Sequence, residues 1–518
     1  TMTLPPLSAG PAVAGVIAAL FALGIGWLGF AGVDVPAQIY RLRLFQTAGW
    51  TTWDPGWYGG IQVLSYSVVF EPLAAAIGLY GVAALSAAAA AWCVHELLVA
   101  RWGRTAPARA GTVVFTAGMI VPIAVGQMPF LLGQALGLLA LRATRRGRWW
   151  AVLLALAAPL ASPVAGAFLL LAAAASLLGG ARPRLAYVKL CAGTGLALAA
   201  VSLLNVRTGG FPFYLGQLIG IVLLCGFGFV LVDRRDRVLR SGFLLYGAAA
   251  LVVLVIPNPL GGNMGRLGAG FGAAIAVTVA WTAHSWRRWL LAGLTIPLLL
   301  WQWGPVMAVS RTRSDPASQP SYYTGLIQHL GAQAATGRLE IPLTARHWET
   351  AFVAPHMALA RGWERQLDIK DNALFYQHNA VTPQSYYSWL VDTGVTMVAL
   401  PDVPLDHSAR AEATLVRSGL DYLTPTWSDA HWKVWAVKGA PGLVTGPAQL
   451  RSVGPNGFSL DAATGKVLVR LRFDQGWVVT QGSACATRGP NNWTELTVLW
   501  PGTIAVSARV LPGPEPDC

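Results

Sequence analysis

The chain has 518 residues, of which 54% are hydrophobic and 12% charged, with a mean hydropathy of +0.51. Soluble domains carry about 25% charged residues, so the composition excludes an ordinary soluble protein and indicates a polytopic membrane protein. The net charge of +14 does not imply a nucleic-acid partner: residues 1–308 hold 19 Arg, 1 Lys and 6 acids, whereas residues 309–518 hold 13 Arg, 4 Lys and 17 acids, so the whole excess lies in the apolar part, where orientation signals are found.

The opening TMTLPPLSAG has no basic stretch and no small-residue cleavage site, so 11–33 reads as a retained first membrane helix rather than a signal peptide. Asp34 stands at the exit of that helix. Residues 35–48 then place Ile39, Leu42 and Phe45 three apart, the pattern of a helix lying in the membrane interface, with Arg41 and Arg43 available for lipid phosphate. The loop WTTWDPGWYGG follows, with Trp50, Trp53, Asp54, Trp57 and Tyr58, and Glu71 precedes the next apolar run. Each of these residues also has a plainer role, Asp34 as a helix cap and the aromatics as an interfacial belt.

Apolar runs continue near 69–99, 109–125, 127–142, 149–161, 163–179, 187–205, 213–232, 241–256, 270–284 and 289–308. Several are shorter than the ~20 residues of a spanning helix, and Pro129, Pro159 and Pro163 punctuate them. Of the 19 arginines in this part, 15 fall in the alternate loops 101–109, 142–148, 181–189, 233–240 and 286–288. The positive-inside rule assigns those loops to the cytoplasm. Residues 34–68, 206–212, 257–269 and everything after 308 are then extracytoplasmic, which predicts a multi-pass cell-membrane protein of about eleven crossings, N-terminus inside and C-terminus outside. The spans carry almost no mid-depth charge, with His95 and Glu96 near a helix end, and no inverted repeat is visible. An ion-coupled transporter is disfavoured by both.

From 309 the composition becomes that of a soluble protein. Three domains are predicted: 1–308 transmembrane, 309–440 α/β, and 441–518 a β-sandwich-like or jelly-roll-like module of alternating strands. Within the second, residues 356–379 gather His356, Trp363, Glu364, Arg365, Asp368, Asp371 and His378, either a salt-bridged junction or an acceptor-binding surface. Cys93, Cys191 and Cys225 lie in apolar runs as packing residues. Cys485 and Cys518 lie in the polar part and are candidates for a disulfide in an oxidising compartment.

An aspartate just after the first membrane helix, a long first outer loop with an interfacial helix, a WDP…GG segment and an outer C-terminal domain after about eleven spans resemble the GT-C superfamily. These are integral-membrane glycosyltransferases that use polyprenyl-phosphate sugars, among them actinobacterial arabinofuranosyl- and mannosyltransferases and the protein O-mannosyltransferases. The WDPGWYGG loop is also similar to that of YfhO-type membrane proteins. The topology covers nearly the whole chain and the motif residues 34–72. Usage rich in Arg, Ala and Gly with few Lys suits an actinobacterium.

The resemblance implies a polyprenyl-phosphate sugar as donor substrate, an envelope glycan or glycolipid as acceptor, and no metal or other cofactor. Asp34 becomes the general base. Arg266, the one charge in the loop 257–269, becomes the first choice for the donor phosphate, with Arg41 and Arg43 next. Arg207, beside GGFPFY (209–214), would line the lipid groove. Trp53, Trp57 and Tyr58 would wall the sugars, and His356, Trp363 and Glu364 would serve the acceptor. Many members carry two adjacent acids here. In this chain Asp34 is followed by Val35, so the second acid is Asp54, Glu71 or absent. Two readings from other classes stand beside the enzyme: a transporter or flippase of lipid-linked precursors, and a non-catalytic scaffold.

Overall fold

A computed structural model describes residues 10–30, 32–64, 66–204, 209–284, 286–310, 315–331 and 336–510. The helices to residue 310 are α1 (Pro11–Trp27), α2 (Val35–Ala48), α3 (Phe70–Ile77), α4 (Leu79–Trp102), α5 (Ala106–Gly118), α6 (Ile120–Val125), α7 (Met128–Arg145), α8 (Ala151–Ala161), α9 (Pro163–Leu178), α10 (Arg184–Leu204), α11 (Leu215–Leu231), α12 (Arg237–Val255), α13 (Gly265–Thr282) and α14 (Trp286–Ser310). The chain divides into two compact units. The first comprises residues 1–35, 66–203 and 210–313, and the second residues 36–65, 204–209 and 314–518.

Among the described residues, six helical stretches of the first unit are long and apolar enough to cross a membrane: Leu79–Trp102, Ala106–Val125, Arg184–Leu203, Arg237–Val255, Gly261–Thr282 and Trp286–Ser310. The helices α1, α8, α9 and α11 are apolar but shorter. Proline sets several starts, at the first or second position of α1, α5, α7 and α9, where its missing N–H costs nothing. The expected run 69–99 is divided at Gly78 into α3 and α4. Large apolar side chains such as Leu244, Leu251, Val252 and Val255 on α12 are exposed, which suits hydrocarbon surroundings and not water.

Small residues let these helices approach closely. Helix α1 packs on α4, and Ala18 and Ala22 of the one and Ala83, Ala87 and Ala91 of the other are all buried. The few acids of the unit sort its ends. Glu96 takes Arg142 at 3.2 Å and Arg146 at 2.5 Å, and Asp236 accepts from Arg101 Nε at 3.0 Å. These pairs draw the arginine-bearing loops 101–109, 142–148 and 233–240 to one end of the bundle. At the opposite end of α4, Tyr80 donates to the carbonyl of Phe30 at 2.9 Å.

The second unit contains α2, a short antiparallel pair β1 (Trp53–Asp54) and β2 (Ile61–Gln62), and the C-terminal residues. One four-stranded sheet holds β3 (Arg338–Glu340), β4 (Val395–Pro401), β5 (Leu423–Ser428) and β6 (Trp432–Val437) in the order β3-β4-β6-β5, with only β3 and β4 parallel. Around it lie α15 (Thr324–Leu330), α16 (Glu349–Phe352), α17 (Arg365–Asp371), α18 (Pro383–Thr393) and α19 (Arg410–Arg417). Thr382 caps α18, its hydroxyl accepting from the N–H of Ser385, and Gly394 ends it with a left-handed φ of 70°, so both ends of the helix are written locally.

The remaining strands are β7 (Val444–Thr445), β8 (Ala448–Gly454), β9 (Gly457–Ala462), β10 (Gly465–Arg472), β11 (Trp477–Gln481), β12 (Ala484–Arg488), β13 (Trp493–Val498) and β14 (Gly502–Ala508). They form two antiparallel sheets, β12-β13-β10-β7 and β11-β14-β9-β8. Alternate residues such as Val467, Val469 and Leu471 of one sheet and Leu460, Ile504 and Val506 of the other share one core, the arrangement of a sandwich. Trp53 joins that core, its ring edge-on to Trp477 at 4.8 Å. The segment 36–65, expected within the 1–308 domain, therefore packs with the C-terminal residues. Cys93, Cys191 and Cys225 are free thiols and Cys485 is disulfide-bonded; its expected partner Cys518 lies outside the described residues.

Candidate active site

Asp34 is buried at 8% exposure, and its backbone is fixed by neighbours within the first unit. Its N–H donates to the carbonyl of Val125 at 3.0 Å, at the break between α6 and α7. The approach is close because residue 32 is glycine: a Cβ there would lie 2.4 Å from the carbonyl oxygens of Ala124 and Val125. Held this way, the carboxylate sits 3.7 Å from the guanidinium of Arg266 in the first turn of α13. The guanidinium carbon also lies 5.3 Å from the centre of the Phe130 ring. The sequence placed these two residues 232 positions apart in separate loops, and the fold brings them together.

Arg266 lines a cavity of about 570 Å³ inside the first unit, within the range of roughly 300–1,000 Å³ typical of small-molecule sites. Its walls come from the α5–α6 junction, the start of α7, the start of α13 and the middle of α14. Five carboxamides line it, those of Gln127, Gln134, Gln217, Asn263 and Gln302, together with the Trp301 ring. Among the described residues Arg266 is the one charged residue in that lining. None of the amides was singled out from sequence. The signal was present, since a Gln inside an apolar stretch such as WQWGP is an expensive residue at membrane depth. Glu71, in the first turn of α3, is buried in the same unit. Arg207 lies outside the described residues.

The other candidates fall in the second unit, and most are enclosed there. Trp53, Trp57 and Tyr58 are at most 1% exposed, so they are packing residues and not the open sugar-stacking wall expected of that loop. Trp57 stacks on Tyr40 at 4.5 Å. Gly60, at φ 129°, has the Trp53 ring where a Cβ would stand, which accounts for the second glycine of the motif. Tyr58 donates to the carbonyl of Glu364 at 3.0 Å, and its own carbonyl accepts from Arg472 at 3.2 Å. Asp54 accepts from Tyr40 at 2.6 Å and from the N–H of Gly56 at 3.0 Å. Burial raises its carboxyl to about 6, against the pull of those two hydrogen bonds.

Arg41, expected to meet lipid phosphate, is 2% exposed and pairs with Glu364 at 2.5 Å. Its guanidinium also lies over the rings of Trp57 and Trp363, at 5.8 and 5.7 Å. Four residues expected to touch donor or acceptor thus meet each other. Arg43 and His356 are exposed.

The acid-rich stretch 356–379 also turns inward. Arg361, 1% exposed, takes Asp368 through both nitrogens at 2.6 and 3.1 Å and Glu412 at 3.3 Å. Arg365 holds Asp406 at 2.7 and 2.8 Å. Burial pushes Glu340 and Glu412 upward; the Glu412 carboxylate raises Glu340 further, while the Arg361 cation pulls against both shifts. Burial would do the same to Asp368, but Arg361 outweighs it and holds that carboxyl below its usual range.

Burial also pushes Glu349 up to about 8, although Thr344 hydrogen-bonds it through hydroxyl and N–H. A raised carboxyl stabilises the fold fully below its unfolded value near 4.5 and loses that contribution as pH rises through 8. Thermal unfolding of the wild type should therefore fall with pH between about 5 and 8, and Glu349→Gln should flatten that slope. Equal slopes for the two proteins would contradict the assignment.

Among the described residues no group of His, Cys, Asp or Glu is placed to hold a metal ion. No protein-family model and no curated protein matches the chain.

Proposed function

We propose that the chain is a GT-C-type integral-membrane glycosyltransferase, transferring a sugar from polyprenyl phosphate to an envelope glycan or glycolipid outside the cytoplasmic membrane. The observation that carries the reading is the Asp34–Arg266 pair, whose arginine lines an amide-bearing cavity within an apolar helix bundle. The proposal includes about eleven crossings, with the arginine-rich end cytoplasmic and the Asp34 end outside. The ion pairs that gather the arginine loops at one end of the bundle support that orientation.

The chemistry follows from the two side chains. A sugar on lipid phosphate already carries a leaving group. As the acceptor oxygen bonds to the anomeric carbon, its proton passes to the Asp34 carboxylate. The bond from that carbon to the phosphate oxygen breaks, and the electron pair leaves with the polyprenyl phosphate. Arg266 steadies the growing negative charge. The guanidinium faces Asp34 at 3.7 Å, so an arriving phosphate competes with that carboxylate for it.

Gly32→Ala should lower transfer without touching either group, because the added methyl must push Asp34 away from the α6–α7 break. A displacement of about 1 Å in a catalytic group commonly costs on the order of 10²-fold. The basic test is transfer of label from a radiolabelled polyprenyl-phosphate sugar pool into envelope glycan by membranes containing the protein. Label incorporated into glycan supports the enzyme. Label carried across proteoliposome membranes with no new glycosidic bond would favour the transporter, and neither outcome would leave the scaffold.

A further inference from the structure

The cavity beside Arg266 has an unusual chemistry for a bundle of apolar helices. Its polar lining is almost wholly carboxamide, neutral and able both to donate and to accept. Gln302, in the middle of α14, is 3% exposed. Among the described residues its Oε1 has no hydrogen-bond partner, and neither has Nε2 of Gln134 on α7. Among the described residues the one hydrogen bond of Gln302 Nε2 is long, 3.5 Å to the carbonyl of Gly270. A buried amide left in this state costs stability, and buried polar groups are otherwise almost always paired.

The surroundings make room for these amides. A Cβ on Gly118 would stand 2.2 Å from Nε2 of Gln302, so the side chain lies over the α5–α6 junction only because that residue is glycine. Gly268 likewise gives way to the Trp301 ring, 2.8 Å from where its Cβ would be. Trp301 and two glutamines that each carry an unpaired amide atom therefore line one cavity. Hydroxyl groups, which both donate and accept, satisfy such a pair, and the apolar face of a sugar ring suits the indole.

We infer that the cavity selects a neutral, polyhydroxylated sugar ring, with Gln134 and Gln302 as the specificity-determining residues and Trp301 as the stacking face. This deepens the glycosyltransferase reading by naming the sugar class, and rests on it for which substrate carries the ring. A cationic amino sugar is disfavoured, since the one charge in the lining is that of Arg266.

The test measures binding alone, so it is separable from transfer. Saturation-transfer NMR on the full chain in lipid nanodiscs would use methyl α-mannopyranoside and methyl α-arabinofuranoside, with methyl 4-amino-4-deoxy-arabinoside as the charged probe. The wild type should bind one or both neutral glycosides and bind the amino sugar more weakly. Gln302→Met and Gln134→Met should each lose roughly three- to tenfold in affinity, the effect of one neutral hydrogen bond. Removing an unsatisfied buried amide relieves a cost, so both variants should keep or raise the thermal unfolding temperature.

Loss of binding with an unchanged or higher unfolding temperature supports the assignment. Wild-type protein that binds neither neutral glycoside, or variants that bind as well as wild type, would overturn it. So would Met variants that unfold earlier, because the amides would then be structural. Failure of transfer in membranes alongside intact glycoside binding would remove the enzymatic reading and leave the sugar site standing.

Discussion

Membranes carrying Asp34→Asn are expected to show no more than about 10⁻²–10⁻⁴ of wild-type sugar transfer, the usual cost of removing a general base. The amide has nearly the same shape, so the protein should still accumulate and unfold at a similar temperature. It keeps the oxygen that faces Arg266 at 3.7 Å and leaves untouched the backbone bond to Val125. What it cannot do is accept the acceptor's proton. Arg266→Ala should instead weaken donor binding first, since the guanidinium is the only cation lining the cavity among the described residues. Wild-type transfer by Asp34→Asn would remove Asp34 as the base.

The largest effect on stability should come from Arg361→Met in the second unit. The substitution leaves Asp368 and Glu412, at 1% and 0% exposure, without their cation. Breaking a buried pair from one side costs about 3–5 kcal/mol, a drop in Tm on the order of 10 °C for a unit of this size. The loss should grow as pH rises, because Glu340 and Glu412, both pushed upward by burial, then ionise without Arg361 beside them. A Tm unchanged from wild type by differential scanning calorimetry would show that the cluster is not what holds α17 and α19 to the sheet.

The regular elements were legible because their signals are local. The alternating strands expected beyond residue 441 appear, in β13 and β14 for example, whose residues are buried and part-buried in turn. The turn residues around α18 and the prolines at the helix starts fixed boundaries in the same way. Strands β5 and β8 show no clear alternation, since both are largely exposed and β5 carries a proline.

The site was legible only in part, for a physical reason. Asp34 and Arg266, on which the proposed site rests, stood out because isolated charges at helix ends are conspicuous in an apolar chain. The role of the aromatic loop was misjudged because a Trp/Gly-rich segment reads equally as an open sugar wall or as buried packing. Which one it is depends on Trp477, Trp493 and Arg472, more than 400 residues away. The cavity amides carried a signal, a Gln within an apolar run, but it points to no shared site until the runs are packed together.

The most direct measurement is a cryo-EM map of the full chain in nanodiscs with a non-hydrolysable polyprenyl-phosphonate sugar. The expected result is phosphonate density against Arg266, with the sugar in the amide-lined cavity and its anomeric carbon facing Asp34 at a distance that leaves an acceptor hydroxyl within hydrogen-bond reach, about 3 Å, of the carboxylate. An undisturbed Asp34–Arg266 pair beside an empty cavity, with the headgroup bound elsewhere, would contradict the proposed site and the function built on it.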